Sequence, residues 1–252
     1  MRLQALIFDC DGVLAETERD GHRIAYNLAM QEMGIGCSWD SATYAKLVRI
    51  SGGKERLNHY FASDRKRFPI SEYGPDTIQA IYQRKTMIFK AMIQKGTLTA
   101  RPGVFRLLNE AHLHNIPLFV CSTSHRESVQ TLIRHTFSPN VLAWFTDLFC
   151  GDVVSRKKPA SDVYDMVKDT YHLDPGHCCV IEDSRNGLLA AKGAGMHCIV
   201  TPSFYTKEEN FSEADLVVTN LGDPDGETSK VLKNCAIGIE KYVKIMDIDE
   251  LV

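Results

Sequence analysis

The feature that most constrains the fold is the stretch of residues 5–13, where an apolar run leads into two carboxylates and a glycine. A continuous apolar run that ends at a turn signal is typical of a strand buried on both faces of a parallel sheet. Such sheets bind ligands at the carboxyl ends of their strands, where Asp9 and Asp11 lie. Two adjacent buried acids need a cation, a shared proton or good hydrogen bonds. The stretch therefore predicts either a site for a hard ion such as Mg²⁺ or an ordinary strand that ends in a solvated turn.

The composition is that of an ordinary globular protein. Of the 252 residues, 44% are hydrophobic and 24% are charged, with a net charge of -3. Because there is no basic excess and no apolar run long enough to cross a membrane, we expect neither nucleic acid nor a membrane as a partner. The first predicted strand begins within a few residues of Met1, so no transit peptide is visible in this numbering.

The cysteines predict a reducing compartment and no zinc site. They form no C-x-x-C pair, and several lie in apolar strand-like runs, where cysteine behaves as a small buried hydrophobe. The eight are Cys10, Cys37, Cys121, Cys150, Cys178, Cys179, Cys198 and Cys235.

Helical spacing replaces the strand pattern after Gly12. We predict a helix that Thr17 caps and that runs to about Met33, followed by a second helix over residues 39–50. Residues 51–56 break the pattern, and helical spacing resumes at Leu57. A long helix is predicted over residues 75–95. Residues 17–96 are therefore expected to form a helical domain inserted after the first strand.

Strands and helices alternate after residue 101, which is the pattern of a doubly wound parallel sheet. The predicted strands cover residues 116–121, 145–150, 178–181, 197–200 and 216–218, with helices over 103–114, 160–171 and 187–195. Beyond Asn220 we expect a loop, a weak helix and a terminal strand at 242–246. The predicted fold class is α/β, with a Rossmann-like core of residues 1–16 and 97–252.

Polar side chains of complementary kinds follow three of these predicted strands and lie in one loop. The carboxylates of Asp9 and Asp11 are followed by the hydroxyls of residues 122–124, then Lys158, then an acidic pair at 182–183. Each has an ordinary alternative: Ser122 as a helix cap, Lys158 as a solvated loop residue, and the acidic pair as a helix cap. The joint order instead favours a phosphate group bound beside a divalent cation.

This series of motifs resembles the haloacid dehalogenase superfamily of phosphohydrolases, over residues up to about 224. The helical insert resembles the C1 cap of its phosphoglucomutase-like branch. The resemblance implies that Asp9 is the nucleophile, which forms an aspartyl-phosphate, and that Asp11 is the general acid and base. The implied phosphate ligands are Ser122, Thr123 and Lys158, and the implied Mg²⁺ ligands are Asp9, Asp11 through its backbone carbonyl, Glu182 and Asp183.

Six stretches are similar to the CbbY type within that superfamily: residues 16–18, 20–23, 52–56, 121–124, 152–159 and 198–201. The similarity implies hydrolysis of xylulose-1,5-bisphosphate, an inhibitor of the CO₂-fixing enzyme Rubisco. A bisphosphate also needs a second cationic pocket away from the metal. The residues expected to contact substrate from the cap are Glu16, Gly52, Gly53, Lys54, Arg56 and Lys85. Plant plastid members are the most similar, so we expect the plastid stroma, and otherwise the cytoplasm.

Two features depart from the CbbY pattern. Tyr82 lies three residues before Lys85, where a histidine is expected, and no family motif follows residue 225. The alternatives are a sugar phosphomutase of the β-phosphoglucomutase kind, a phosphoglycolate-type phosphatase for small molecules, and a catalytically silent phosphate-binding module. No motif is broken, which disfavours the last. We expect a monomer that acts on a phosphorylated sugar.

Overall fold

The computed structural model describes residues 1–233 and 237–252. These residues form a seven-stranded sheet in the order β3-β2-β1-β4-β5-β6-β7. The first six strands run parallel, and β7 pairs antiparallel with β6. The predicted α/β class with a doubly wound parallel core is confirmed. The strands are β1 (Ala5–Phe8), β2 (Leu118–Ser122), β3 (Phe145–Cys150), β4 (Cys178–Glu182), β5 (His197–Val200), β6 (Leu216–Val218) and β7 (Val231–Lys233).

Helices cover both faces of this sheet and form the segment after β1. A π-helical turn (Glu18–His22) leads into the first α-helix, and short 3₁₀ turns precede β3 and β4 (Pro139–Trp144 and Pro175–His177). The α-helices are α1 (Arg23–Glu32), α2 (Ser41–Leu47), α3 (Gly53–Ser63), α4 (Pro75–Gln94), α5 (Val104–Leu113), α6 (Arg126–Thr136), α7 (Asp162–Tyr171), α8 (Arg185–Gly193) and α9 (Ile245–Leu251).

The side chains of β1 alternate between two hydrophobic clusters, one on each face of the sheet. Leu6 and Phe8 belong to one cluster, and Ala5 and Ile7 belong to the other. All four are fully buried. Since successive strand residues point to opposite faces, only a strand covered on both sides can be apolar throughout. The prediction of a doubly buried first strand is confirmed.

Helices α1–α4 share a third hydrophobic cluster, rich in aromatic residues. Trp39 and Tyr44 are fully buried there, and the ring of Trp39 lies 4.9 Å from that of Tyr26 between centroids. Aromatic residues bury large areas, so they give a small helical unit its own core. We refer to residues 17–96 as the cap and to the rest as the core; these exact domain boundaries stay a prediction.

The structure corrects three details of the predicted elements. Thr17 does not cap a helix, since its hydroxyl donates to Asp11 instead. Helix α3 begins at Gly53, so Lys54 lies in its first turn rather than in a loop. In the tail, the structure has a strand at Val231–Lys233 where we predicted a helix, and helix α9 begins at Ile245, within the predicted strand.

Within the residues that the structure describes, we find no helix that is both long and apolar enough to cross a membrane. Seven of the eight cysteines are described, and all seven are free thiols. Cys235 lies outside the described residues.

Candidate active site

The carboxyl ends of three neighbouring strands bring the predicted polar residues together. Strands β2, β1 and β4 are adjacent in the sheet. Ser122 ends β2, Asp9 follows β1, and Glu182 ends β4 with Asp183 directly after it, while Lys158 lies shortly before α7. All five side chains are buried. Residues distant in sequence therefore share one edge of the sheet, as parallel strands require.

The Lys158 ammonium joins the two acidic motifs. Its Nζ donates to Asp9 Oδ1 at 2.7 Å, to Glu182 Oε1 at 2.6 Å and to the Cys121 carbonyl at 2.9 Å. Three acceptors satisfy every N–H of a lysine. Burial acts to lower the pKa of Lys158, but the charges of Asp9 and Glu182 raise it well above its usual value. Lys158 is therefore a fixed positive charge at the centre of the site.

Three buried carboxylates beside this lysine form a candidate cation site. Asp9, Glu182 and Asp183 each offer an oxygen, and these oxygens lie within 4.8 Å of one another. Burial, opposed by Lys158 and reinforced by Glu182, raises the pKa of Asp9 to about 8. Burial and the charges of Glu182 and Asp9 raise the pKa of Asp183 well above its usual value. One lysine does not balance three carboxylates, so this all-oxygen cluster fits a hard divalent cation such as Mg²⁺.

Gly12 lets the two acidic motifs approach each other. Its φ is +84°, in the region that favours glycine. A Cβ at this position would overlap with the Asp183 carboxylate. Any side chain here would therefore strain the backbone and displace a member of the acidic cluster.

Asp11 has a different environment from Asp9. Its Oδ1 accepts from Thr17 Oγ1 at 2.6 Å and lies 2.8 Å from His22 Nε2, and its Oδ2 accepts from Ser124 Oγ at 2.5 Å. Burial acts to raise the pKa of Asp11, but His22 and the hydroxyl hydrogen bonds together lower it well below its usual range. The two aspartates therefore titrate far apart, which is typical of carboxylates with different tasks.

The two predicted phosphate ligands at the end of β2 line a small cavity of about 80 Å³, which Asp9 and Asp11 also line. Ser122 is buried, and its Oγ accepts from the Ser124 backbone N–H at 3.0 Å. Thr123 is half-buried and faces the same cavity as Asp9 and Asp11. The structure therefore places both residues beside the acidic motifs.

The cap closes over this cavity. Gly52 and Arg56 line it from the cap side, and Asn186 Nδ2 ties the cap to the core by donating to the Arg49 carbonyl at 2.8 Å. Gly53 and Lys85 line a smaller adjoining cavity that also contains Asp11, His22 and Tyr82. Four of the six predicted cap contacts thus lie next to Asp9 or Asp11.

Lys85 is buried and forms no direct ion pair among the described residues. Its Nζ lies over the rings of Tyr26, Phe89 and Tyr82, at 4.8, 5.3 and 5.8 Å from their centroids. Burial lowers the pKa of Lys85 to about 8, against the effects of Glu18 and Asp11. An ammonium held by aromatic faces alone is available to an anionic ligand.

Arg56 differs from the free cation that the sequence predicted. Its guanidinium is buried, and it donates to both carboxylate oxygens of Glu18 at 3.2 Å and to the Tyr44 hydroxyl at 2.6 Å. Burial acts to lower the pKa of Arg56, but Glu18 raises it well above its usual value. Arg56 therefore forms an ion pair inside the cap, because it lies on the buried face of α3 together with Leu57 and Phe61.

Glu16 and Lys54 point away from the small cavity. Glu16 Oε1 lies 3.6 Å from Arg101 Nε and lines a separate cavity of about 760 Å³. Lys54 Nζ binds Asp152 Oδ2 at 2.6 Å, and Lys157 bridges Asp152 at 2.9 Å and Glu55 at 2.8 Å. These contacts join the start of α3 to the loop after β3. In this arrangement Lys54 is a contact between cap and core.

Sequence reasoning missed His22, which contacts Asp11, and Glu18, which binds Arg56 inside the cap. His22 is buried, its ring packs on Phe89 with centroids 3.9 Å apart, and its Nε2 binds Asp11. Their spacing of four residues in a predicted helix was a signal, since such residues share one face. What that face contacts depends on the tertiary fold.

Three comparisons with known proteins indicate the same family. Residues 3–195 match the haloacid dehalogenase-like hydrolase model. A CBBY-like protein of Arabidopsis thaliana is 40% identical over 235 residues, which cover 88% of this chain and 70% of the relative. A crystal structure of CbbY from Rhodobacter sphaeroides with phosphate has a TM-score of 0.80 at 37% identity, covering 86% of this chain and 94% of that one.

A mutant of the same Rhodobacter sphaeroides protein, solved in complex with xylulose-1,5-bisphosphate, matches with a TM-score of 0.80 at 36% identity over the same shares of the two chains. The family match covers most of this chain, including β1, β2, β4 and the loop before α7. The chain therefore belongs to the haloacid dehalogenase-like hydrolases, and it is a phosphoric monoester hydrolase of the CbbY type.

Proposed function

We propose that this protein hydrolyses a sugar bisphosphate, xylulose-1,5-bisphosphate, through an aspartyl-phosphate on Asp9, with Mg²⁺ as cofactor. The observation that carries the proposal is the contact of Lys158 Nζ with both Asp9 and Glu182. It sets a nucleophilic carboxylate, a fixed cation and an acidic cluster around one point at the strand ends. Phosphoryl transfer needs an in-line nucleophile and neutralised phosphoryl oxygens, and this arrangement supplies both.

Asp9 would attack the phosphorus atom of the substrate and displace the sugar alkoxide. The Asp9 carboxylate then carries the phosphoryl group as an acyl phosphate, which water hydrolyses to inorganic phosphate. Splitting one difficult hydrolysis into two easier steps is the advantage of covalent catalysis. Lys158, Ser122 and Thr123 would hold the oxygens of the transferred group, since they border the same cavity as Asp9.

Asp11 would protonate the leaving sugar oxygen and later take a proton from the attacking water. Its contacts with His22, Thr17 and Ser124 fix the orientation of the carboxylate. Because these groups stabilise the ionised form, Asp11 is prepared above all for the second role, as a base. For the first step, the negative charge of the bound substrate would raise the pKa of Asp11, which would take up a proton from solvent and then give it to the leaving oxygen.

The residues that would hold Mg²⁺ are Asp9, Asp183, Glu182 and the backbone carbonyl of Asp11. Supporting this assignment, the Asp9, Glu182 and Asp183 oxygens cluster within 4.8 Å. When bound, Mg²⁺ would neutralise negative charge on the phosphoryl oxygens. Asp9 and Asp183, whose pKa values are raised in the protein alone, would then be ionised at neutral pH.

The second phosphate of the substrate would bind on the cap side. Lys85 supports this, since its buried ammonium has cation–π partners and no ion pair among the described residues. Gly52, Gly53 and Lys54 would contribute backbone amides and a charge at the start of α3. Glu16 and Arg56 are proposed as further substrate contacts on the resemblance to CbbY proteins, and both would have to exchange their present partners.

A panel assay of phosphate release tests the proposed function. We expect xylulose-1,5-bisphosphate to be hydrolysed with a higher kcat/KM than ribulose-1,5-bisphosphate, xylulose 5-phosphate or phosphoglycolate, and only with Mg²⁺ present. Highest activity on phosphoglycolate would contradict the substrate assignment. Conversion of β-glucose 1-phosphate to glucose 6-phosphate, without net phosphate release, would indicate a mutase instead.

The cellular compartment and the oligomeric state are part of the same proposal. We propose a monomer in the plastid stroma that serves Rubisco-associated metabolism, because a relative from a plant is 40% identical. Localisation of a fluorescent fusion of the protein in leaf cells tests the compartment, and light scattering tests the monomer. A cytoplasmic fusion would contradict the plastid assignment.

Substitution of Lys54 by alanine is expected to reduce bisphosphate selectivity. Losing one charge-assisted contact costs about 1.5–3 kcal/mol, roughly a tenfold to hundredfold drop in kcat/KM for the bisphosphate. A small aryl phosphate, which lacks a second phosphate, should be hydrolysed almost as before. The measurement is kcat/KM on both substrates, with Lys46→Ala as a control for loss of an exposed cap lysine on α2.

The contact of Lys54 with Asp152 provides the alternative outcome. If Lys54 acts only by holding the cap against the core, Lys54→Ala and Asp152→Asn will lower kcat/KM equally on both substrates. That result would remove Lys54 from the set of substrate ligands.

A further inference from the structure

The Glu182 carboxylate is bound by protein groups on both of its oxygens. Oε1 accepts from Lys158 Nζ at 2.6 Å and from the Tyr164 hydroxyl at 2.7 Å. Oε2 accepts from the Asp183 backbone N–H at 3.1 Å and from Ser184 Oγ at 3.3 Å. Only 1% of Glu182 is exposed. A carboxylate with this many donors has one defined orientation.

Helix α8 packs directly against one side of this carboxylate. A Cβ at Gly187, in the first turn of α8, would overlap with the Glu182 carboxyl group. Glycine is therefore required here for the helix backbone to approach so closely. Glu182 is thus confined by α8 on one side and by Lys158 and Tyr164 on the other.

Tyr164 contacts both members of the Lys158–Glu182 ion pair. It lies in α7, is fully buried, and donates its hydroxyl proton to Glu182 Oε1. Its ring also lies under the Lys158 ammonium, with Nζ 4.9 Å from the ring centroid. Two donors on a single oxygen hold it more firmly than either one alone, and the aromatic face stabilises the cation.

We propose that Tyr164 is a positioning residue for the proposed phosphatase reaction: its hydroxyl holds Glu182 in the orientation that keeps Lys158 against Asp9. The inference rests on the proposed function. Lys158 binds Asp9 and Glu182 with different N–H groups, so a rotation of the Glu182 carboxylate would move the ammonium away from Asp9. The same rotation would change the acidic cluster, of which Glu182 is a member.

The ordinary alternative is that Tyr164 serves only as an apolar ring. It belongs to the hydrophobic cluster on one face of the sheet, together with Val163 and Val167 of the same helix. A phenylalanine would fill that space equally well. Tyr164→Phe therefore removes the hydroxyl and leaves the packing, and it separates the two roles.

Tyr171 offers a matched control on the same helix. Its hydroxyl donates to Asp147 Oδ2 at 3.3 Å, away from the acidic cluster, and its ring packs on Phe119 with centroids 4.7 Å apart. Tyr171→Phe deletes the same atom from α7 without touching the site. Both variants are expected to fold with similar Tm values.

The decisive comparison measures catalysis and metal affinity in parallel. For Tyr164→Phe we expect kcat to fall about 10- to 100-fold, with KM nearly unchanged, because partners of metal-site residues typically contribute this much. Electron paramagnetic resonance with Mn²⁺ in place of Mg²⁺, and without substrate, should show a dissociation constant about tenfold higher. Tyr171→Phe should match the wild type in all three quantities.

A double variant tests whether Tyr164 acts through Glu182. If it does, adding Tyr164→Phe to Glu182→Gln should cost much less than it does in the wild type, because coupled residues are not additive. Wild-type kcat and Mn²⁺ affinity in Tyr164→Phe, or full additivity in the double variant, would overturn the inference.

These outcomes are separable from the proposed function. A wild-type protein that releases no phosphate from any of the panel substrates would refute the proposed function, while the Mn²⁺ comparison would still decide the role of Tyr164. If the wild type is active and Tyr164→Phe has the same activity, only the role of Tyr164 is refuted. A wild type that neither releases phosphate nor binds Mn²⁺ would refute both.

Discussion

Replacement of Asp9 by asparagine should abolish turnover while leaving the protein folded. The amide keeps the shape of the side chain but does not form the acyl phosphate, so kcat should fall by about 10³-fold or more on every substrate. Steady-state phosphate release with an aryl phosphate and with xylulose-1,5-bisphosphate measures the loss. The exposed helix residue Asp169 gives the control, and Asp169→Asn should keep full activity.

The pKa of Asp9 predicts the effect of this substitution on stability. Burial raises this pKa to about 8, above the value in an unfolded chain. A group shifted upwards stabilises the fold below its unfolded pKa, and that contribution is lost as the pH rises through about 8. Asparagine imitates the protonated form, so Asp9→Asn should not lower the Tm in metal-free buffer at neutral or higher pH. Substantial turnover in a folded Asp9→Asn protein would rule out Asp9 as the nucleophile.

Replacement of Asp183 by alanine should remove the metal dependence together with the activity. Asp183 is buried, and burial with Glu182 and Asp9 raises its pKa well above the usual value. In the protein alone its charge is therefore unfavourable, and its proposed benefit is realised on Mg²⁺. We expect a loss of about 10²-fold or more in Mg²⁺-dependent kcat. Titration of phosphate release against Mg²⁺ measures it.

Two further measurements distinguish the loss of a metal ligand from the loss of the folded structure. Asp183→Ala should keep its Tm in metal-free buffer but lose the rise in Tm that Mg²⁺ gives the wild type. Ca²⁺ should inhibit the wild type, since its larger and more flexible coordination shell suits in-line transfer poorly. Wild-type activity that persists in excess chelator would contradict the metal assignment.

The core strands were predictable because their signal is local. The strands Phe145–Cys150, His197–Val200 and Leu216–Val218 agree with the predicted ranges residue for residue. Each is a short, mostly apolar run bounded by turn residues, and burial on both faces of a parallel sheet requires such runs. The order of polar residues at the strand ends was predictable for the same reason, since parallel strands end at one edge.

The tail was not predictable because distant contacts determine it. Residues 242–246 are a short, mostly apolar run, for which the sequence predicts a terminal strand. In the structure, the backbone N–H of Ile245 donates to Glu110, and Asp249 accepts from the backbone of Leu3 at the other end of the chain. Helix α9 therefore begins where α5 and the first residues of the chain supply its hydrogen-bond partners. Because those partners are distant in sequence, no local pattern encodes them.

The cap residues show the same limit within the site. The sequence predicted positive charge at Lys54, Arg56 and Lys85 but not which charges are already paired. Arg56 binds Glu18 across 38 residues, and Lys54 binds Asp152 across 98. Of the three, Lys85 has an ammonium without a carboxylate partner among the described residues. This depends on how α4 packs against α1, so the sequence alone does not predict it.

The most direct test of the central claim is chemical trapping of the covalent intermediate. Wild-type protein mixed with substrate and Mg²⁺ is quenched within its first turnover and treated with borohydride, which reduces an acyl phosphate to an alcohol. Mass spectrometry of the peptide that contains residues 5–13 then reports which carboxyl group reacted. We expect homoserine in place of Asp9, absent without substrate. Reduction at Asp11, or none at either aspartate while phosphate is released, would contradict it.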